Sequence, residues 1–168
     1  LYNLGHRSIA HLAGPRNLST GQLRRAAFER IITEFDLPNR PEMITEAAKF
    51  DETEGQIAAR QLLSSGTDFT AIVCANDRLA LGAIAMLRSA GIRCPDDVSV
   101  TGFNDMPFLE MIEPSLTTVR VQQFEAGVAA AKRLMEAVEG KVGHSTETVL
   151  PVDLVVREST ANAPHALG

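Results

Sequence analysis

Six side chains stand where they could do chemistry together. Arg24, Phe50, Asn76, Asp77, Asn104 and Asp105 each come soon after a short apolar run. An amide both donates and accepts hydrogen bonds, and a guanidinium is a planar fork of donors. Carboxylates accept, and an aromatic ring offers a flat apolar face. Such a set suits a polyhydroxylated or carboxylated small molecule held in a cleft. It is a binding set more than a catalytic one. No GxGxxG follows the first apolar run, and GxxxxGK[ST] and GxSxG are both absent. His6, His11, His144 and His165 have no metal-ligand spacing. No catalytic residue, metal or cofactor is therefore expected, and the chain is not expected to be an enzyme.

Each of these residues also has a purely structural alternative. Asn76 or Asp77 can cap the helix that follows. Arg24 can be a solvated helix residue, and Phe50 can be core. Asn104-Asp105 can be a turn. His6, after Gly5, fits a structural residue at a helix end, and His11 fits the core or surface of a sheet.

The elements that would position them are legible from periodicity. Apolar runs at 8–13, 70–75 and 98–103 read as strands, with weaker extended segments at 43–47, 117–120 and 148–156. The run Thr70-Ala71-Ile72-Val73-Cys74-Ala75 has no polar alternation, which fits a strand buried on both faces of a parallel sheet. Helical spacing runs from Ser19 or Thr20, as cap, to about Phe35, with Leu23, Ala27, Phe28, Ile31, Ile32 and Phe35 on one face. Further helices are expected from an Asp51/Glu54 capping pair to Gly66, over 77–90, and over 124–139. Strands alternating with helices imply α/β architecture: an open parallel Rossmann-like sheet with helices on both faces. In such sheets ligands bind beyond the carboxyl ends of the strands, where the six residues fall.

Composition narrows the partners. The 168 residues are 45% hydrophobic and 22% charged, ordinary for a globular domain, and the net charge is −5. Basic residues cluster no further than Arg24-Arg25 and Lys132-Arg133, so this chain alone is not expected to bind nucleic acid. Cys74 and Cys94 form no CxxC pair, which suits reduced thiols in a cytoplasmic protein. No apolar run approaches the roughly 20 residues that span a membrane. The opening Leu1-Tyr2-Asn3-Leu4-Gly5 reads like the last turn of a helix, so the chain is expected to be part of a longer protein.

Five ordered segments carry a resemblance. They are Leu4-Gly5-His6-Arg7-Ser8-Ile9-Ala10 with Ala13-Gly14-Pro15; Ala75-Asn76-Asp77-Arg78-Leu79-Ala80-Leu81-Gly82-Ala83; Pro95-Asp96-Asp97-Val98-Ser99-Val100-Thr101-Gly102-Phe103-Asn104-Asp105; Pro114-Ser115-Leu116-Thr117-Thr118-Val119; and Leu154-Val155-Val156-Arg157-Glu158-Ser159-Thr160. Together they resemble the C-terminal part of the effector-binding core of LacI/GalR transcriptional repressors.

The resemblance implies a periplasmic-binding-protein type I fold of two lobes with a ligand cleft between them. Residues 1–115 would be the C-terminal lobe and 116–158 a strand, helix and strand returning to the other lobe; 159–168 reads separately, from its Ala, Pro, Asn, His and Gly composition, as a disordered tail. The resemblance also implies an effector (a sugar, sugar acid or metabolite) bound by Arg24, Phe50, Asn76, Asn104 and Gln123. It implies a homodimer formed through Leu81, Phe108, Met111 and Ile112, with Leu109 in the same exposed patch. Operator DNA would be bound by a headpiece missing from this chain. Asn104 departs from the aspartate of many members, which replaces a charged acceptor by a neutral amide. A periplasmic sugar-binding protein of the same fold is the alternative, and a doubly wound nucleotide enzyme a second; the missing phosphate loop speaks against the latter.

Overall fold

The structure is a computed structural model that describes residues 1–140 and 147–164. Four strands, β1 (Ile9–Ala13), β2 (Ile44–Glu46), β3 (Ala71–Cys74) and β4 (Ser99–Thr101), form a parallel sheet in the order β2-β1-β3-β4. β1 lies central, its Ile9, Ala10, His11 and Leu12 opposite Ala71, Ile72, Val73 and Cys74 of β3. The connections are α1 (Ser19–Glu34), α2 (Glu52–Ser64) and α3 (Asp77–Ser89).

The unbroken apolar runs are explained by two cores. Successive strand residues point to opposite faces. Ala10 and Leu12 of β1, with Ile72 and Cys74 of β3, pack with Ala58, Leu62, Leu79, Ala83 and Leu87 of α2 and α3. Ile9 and Ala71 face the other way, onto Ile32 and Leu37, with Phe28 and Val73 against them. Helices therefore cover both faces, as expected. Gly55 and Gly82 let α2 and α3 touch backbone to backbone. A Cβ at Gly82 would meet the Glu52 carbonyl, the Gln56 nitrogen and the Gly55 Cα.

Two helix starts turn out differently from each other. Asp51 caps α2, its Oδ1 accepting from the Glu54 N–H at 2.9 Å. Neither Ser19 nor Thr20 caps α1: Ser19 is already helical and Leu18 occupies the cap position without a side-chain bond. The expected apolar face of α1 is also corrected. Leu23 is 69% exposed, and Ile31 and Phe35 are exposed too. The inward side is Gly21, Arg24, Arg25, Phe28 and Ile32, because Gly21 packs directly on the Pro15 carbonyl and sets the helix's rotation.

Beyond β4 the chain crosses over. Thr101 bridges Thr117, and Asn104 bridges Arg120, both in parallel sense. β5 (Thr118–Val121) then pairs antiparallel with β6 (Val152–Val155), and α4 (Gln123–Val138) lies between them in sequence. No residue of α4 is buried. The disordered tail expected from residue 159 is not what the structure has over residues 159–164. Ser159 is fully buried, donating from its hydroxyl to the Val100 carbonyl at 2.6 Å and accepting the Thr117 N–H at 2.8 Å. His6 is equally buried, and its Nε2–H donates to the Ala161 carbonyl at 3.0 Å. Polar composition suggested disorder, but these hydrogen bonds hold the segment along β4. Residues 165–168, including His165, and residues 141–146, including His144, lie outside the described part.

Candidate functional site

Arg24 reaches the strand ends because α1 turns it inward. Its Nη1 donates to the Ala75 carbonyl at 2.6 Å, just past β3, and its Nη2 to Asn104 Oδ1 at 3.3 Å, just past β4. The guanidinium lies 4.0 Å from the centre of the Phe103 ring and 5.9 Å from that of Phe50. A cation over an aromatic face is attracted by the ring's quadrupole. Burial pulls the Arg24 pKa down from its ordinary value, and the charge of Asp77 opposes that pull; the guanidinium stays charged.

Phe50 stands against Gly14. A Cβ at Gly14 would overlap the Cζ and Cε1 edge of the Phe50 ring, so the glycine is the notch that admits it. Asn76 is 5% exposed and caps α3, its Oδ1 accepting from the Leu79 N–H at 2.9 Å. Asp77 is buried among donors: Thr118 Oγ1 donates to it at 2.5 Å and the Met106 N–H at 2.9 Å. Its two oxygens tie α3 to the crossover strand and to the loop after β4.

That loop is held in an uncommon shape. Asn104 and Asp105 have φ of 124° and 56°, a region that favours glycine and that Asn and Asp tolerate best among the rest. The Asn104 N–H donates to the Val119 carbonyl at 2.9 Å. The Asp105 carboxylate accepts from Arg120 Nε at 2.6 Å and from Arg157 Nη2 at 2.8 Å. Burial raises the Asp105 pKa, but the hydrogen bonds from Arg157 and Arg120 more than reverse that, and the carboxyl sits below its usual range. The clasp therefore joins the loop to both crossing segments.

Arg24, Phe50, Asn76 and Asn104 are thus brought to one end of the sheet. Gln123 is exposed at the start of α4 and makes no hydrogen bond to them among the described residues. Phe103, the clasp arginines and the Gly14 notch were missed from sequence. The alternation Gly102-Phe103-Asn104 placed Phe103 at a strand end but gave no hint that Arg24 would lie across it. The set forms an open wall; it can hold a small polar molecule against an apolar backing, and no group in it is poised as a nucleophile beside a base.

Elsewhere an open groove of about 790 Å³ is lined by Leu81, Ile84, Ala85, Arg88 and Ile112, among others. Phe108 and Met111 are 67% and 76% exposed, whereas Leu109, expected in the same exposed patch, is buried in the core. Both cysteines are free thiols. Among the described residues no cluster of His, Cys, Asp or Glu is placed to hold a metal, and no helix is long and apolar enough to cross a membrane.

Residues 1–160 match the periplasmic binding protein-like domain family. The chain is 37% identical over its whole length to the HTH-type transcriptional regulator MalR of Streptomyces coelicolor, covering 49% of that protein. It superposes on the transcriptional regulator CelR–cellobiose complex with a TM-score of 0.90 at 31% identity, over 95% of this chain and 48% of that one. It superposes on the Lac repressor dimer bound to operator and the anti-inducer ONPF with a TM-score of 0.88 at 30% identity, over 96% and 55%. The chain spans about half the length of the curated relatives it matches.

Proposed function

Since the chain belongs to the periplasmic binding protein-like domain family, we propose that it is the effector-binding and dimerisation region of a bacterial transcriptional regulator of the LacI type. The observation that carries this is the wall at the strand ends. Arg24 spans Ala75 and Asn104 over the Phe103 ring, with Phe50 beside it. A small-molecule effector lies on that wall and is closed over by a second lobe. Asn76 contributes chiefly by fixing the start of α3, and Gln123 reaches the effector from the far side once α4 joins that lobe.

Residues 1–115 form the lobe and 116–158 return to its partner lobe. The exposed Phe124, Leu134, Met135 and Val138 of α4 support that division, since apolar faces are normally covered. Leu81, Phe108, Met111 and Ile112 form the surface on which two copies dimerise in the cytoplasm. Operator DNA is bound by a separate headpiece, and the effector shifts that affinity by binding one global state better than the other. The likeness to named regulators supports this reading over a periplasmic carrier.

The test is Arg24→Ala in the full-length regulator. Operator binding stays intact, and release of operator by effector is lost. An effector titration identical to that of the unaltered protein overturns the assignment.

A further inference from the structure

The four least exposed arginines among the described residues are Arg24, Arg25, Arg133 and Arg157. Three of them have a carboxylate. Arg25 pairs with Glu29 at 2.9 Å, Arg133 with Glu136 at 4.0 Å and Arg157 with Asp105 at 2.8 Å. Arg24 has none. Its two acceptors, the Ala75 carbonyl and the Asn104 amide oxygen, are neutral. Asp77 attracts it through space, but both Asp77 oxygens are already taken by the Thr118 hydroxyl and the Met106 N–H.

A guanidinium has five N–H donors. Two are used here, which leaves three without an acceptor among the described residues. The aromatic side is also accounted for: Phe103 lies 4.0 Å beneath the cation. The wall is therefore a fixed cation with spare donors and a polarised backing. It is poor in free acceptors, because the Asn104 oxygen is spent on Arg24 itself. A neutral polyol can accept from the spare donors, but its own hydroxyl protons then need acceptors that the wall lacks, and the charge of Asp77 alone would offset the cation once water is excluded. An oxyanion does the opposite, taking two parallel N–H bonds from the fork.

We propose that the effector is a polyol-sized molecule bearing a carboxylate or a phosphate, and that Arg24 receives this anionic group while Phe50 faces the apolar side of the remainder. The proposal rests on the reading of the wall as an effector site. Asn104 is its specificity-determining partner: an aspartate there would neutralise Arg24 and admit neutral sugars instead.

The experiment is a thermal-shift and calorimetric screen of the intact regulator against neutral sugars, each accompanied by its acid and its phosphate ester at matched ionic strength. Binding is expected only among the charged members, and which of the two binds separates carboxylate from phosphate. Arg24→Gln should weaken that binding at least tenfold, Arg24→Lys less. Asn104→Asp, which keeps shape and folding, should weaken it at least tenfold as well. Neutral sugars binding as tightly as their charged forms, or Asn104→Asp leaving charged-ligand affinity unchanged, overturn the anionic class while sparing the effector site. No binding by any member overturns both.

Discussion

Replacing Asp105 with asparagine removes one charge from the clasp and leaves a near-isosteric side chain. The cost can be worked from its two halves. Arg157 is only 14% exposed, and its 2.8 Å bond to a carboxylate that is 8% exposed is a charge-assisted bond in a shielded place, worth roughly 1.5–3 kcal/mol. Arg120 is 51% exposed, so its bond belongs with surface pairs, at about 0.2–1 kcal/mol. The asparagine keeps one acceptor oxygen and turns an amide N–H toward the other arginine. A net loss of about 2–3 kcal/mol follows, dominated by the Arg157 half. With a urea slope near 2 kcal/mol/M, the midpoint falls by roughly 1 M or a little more. The pH dependence gives a second handle. The folded carboxyl lies below its ordinary value, so the unfolded chain binds this proton first. The contribution is complete above about pH 5 and fades as acid drives the pH down through the folded value. The Asp105→Asn deficit should therefore shrink on acidification. An unchanged midpoint at pH 7, or a deficit that stays constant down to pH 2–3, refutes the clasp as a source of stability.

Three other outcomes are expected. Gly82→Ala gains helix propensity of about 1 kcal/mol, but the methyl meets backbone atoms of α2 that cannot yield; overpacking of about 1–3 kcal/mol wins, and the melting temperature drops. His11 is buried with its Nδ1–H on the Val73 carbonyl at 2.7 Å and its ring stacked on Phe28, and burial pulls its pKa down to about 4. The unfolded chain then takes up this proton first, so stability declines as pH falls from about 6.5 toward 4, by up to about 1.4 kcal/mol per unit; denaturation curves of His11→Phe should show a shallower decline, and an identical slope argues against this source. Leu81→Asp should move sedimentation of the regulator toward the monomer, and an unaltered profile removes the α3 groove from the dimer surface.

The strands were legible because their cause is local. A segment covered by helices on both sides is mostly apolar, its few polar side chains being buried against partners as His11 is on the Val73 carbonyl, and the runs at 8–13, 70–75 and 98–103 contain Ile9–Ala13, Ala71–Cys74 and Ser99–Thr101. The caps of α2 and α3 were legible for the same reason, since Asp51 and Asn76 act within three residues. The orientation of α1 was not. Leu23, Ile31 and Phe35 obey the helical period, yet the rotation is set by Gly21 against Pro15, a contact no periodicity encodes. Arg24 pointed inward for that reason, and the sequence could place it near the strand ends without revealing that Phe103 lies beneath it. The order at 159–163 depends on partners some 42 to 155 positions away in the chain, such as Thr117 and His6, so a polar segment read alone looked like a tail.

The uncovered face of α4 has a calorimetric consequence. Unfolding raises heat capacity by about 0.45 cal/K/mol for each Å² of apolar surface newly wetted. The apolar residues of α4 are already in water, with Phe124 79% and Val138 76% exposed. Melting that helix would therefore add almost nothing to the heat-capacity increment or to denaturant sensitivity. Nearly all of both should come from the sheet and its three packed helices. In a calorimeter the chain would behave as one steep transition accompanied by a shallow, low-enthalpy one, and supplying a cover for α4 would merge the two and raise the increment.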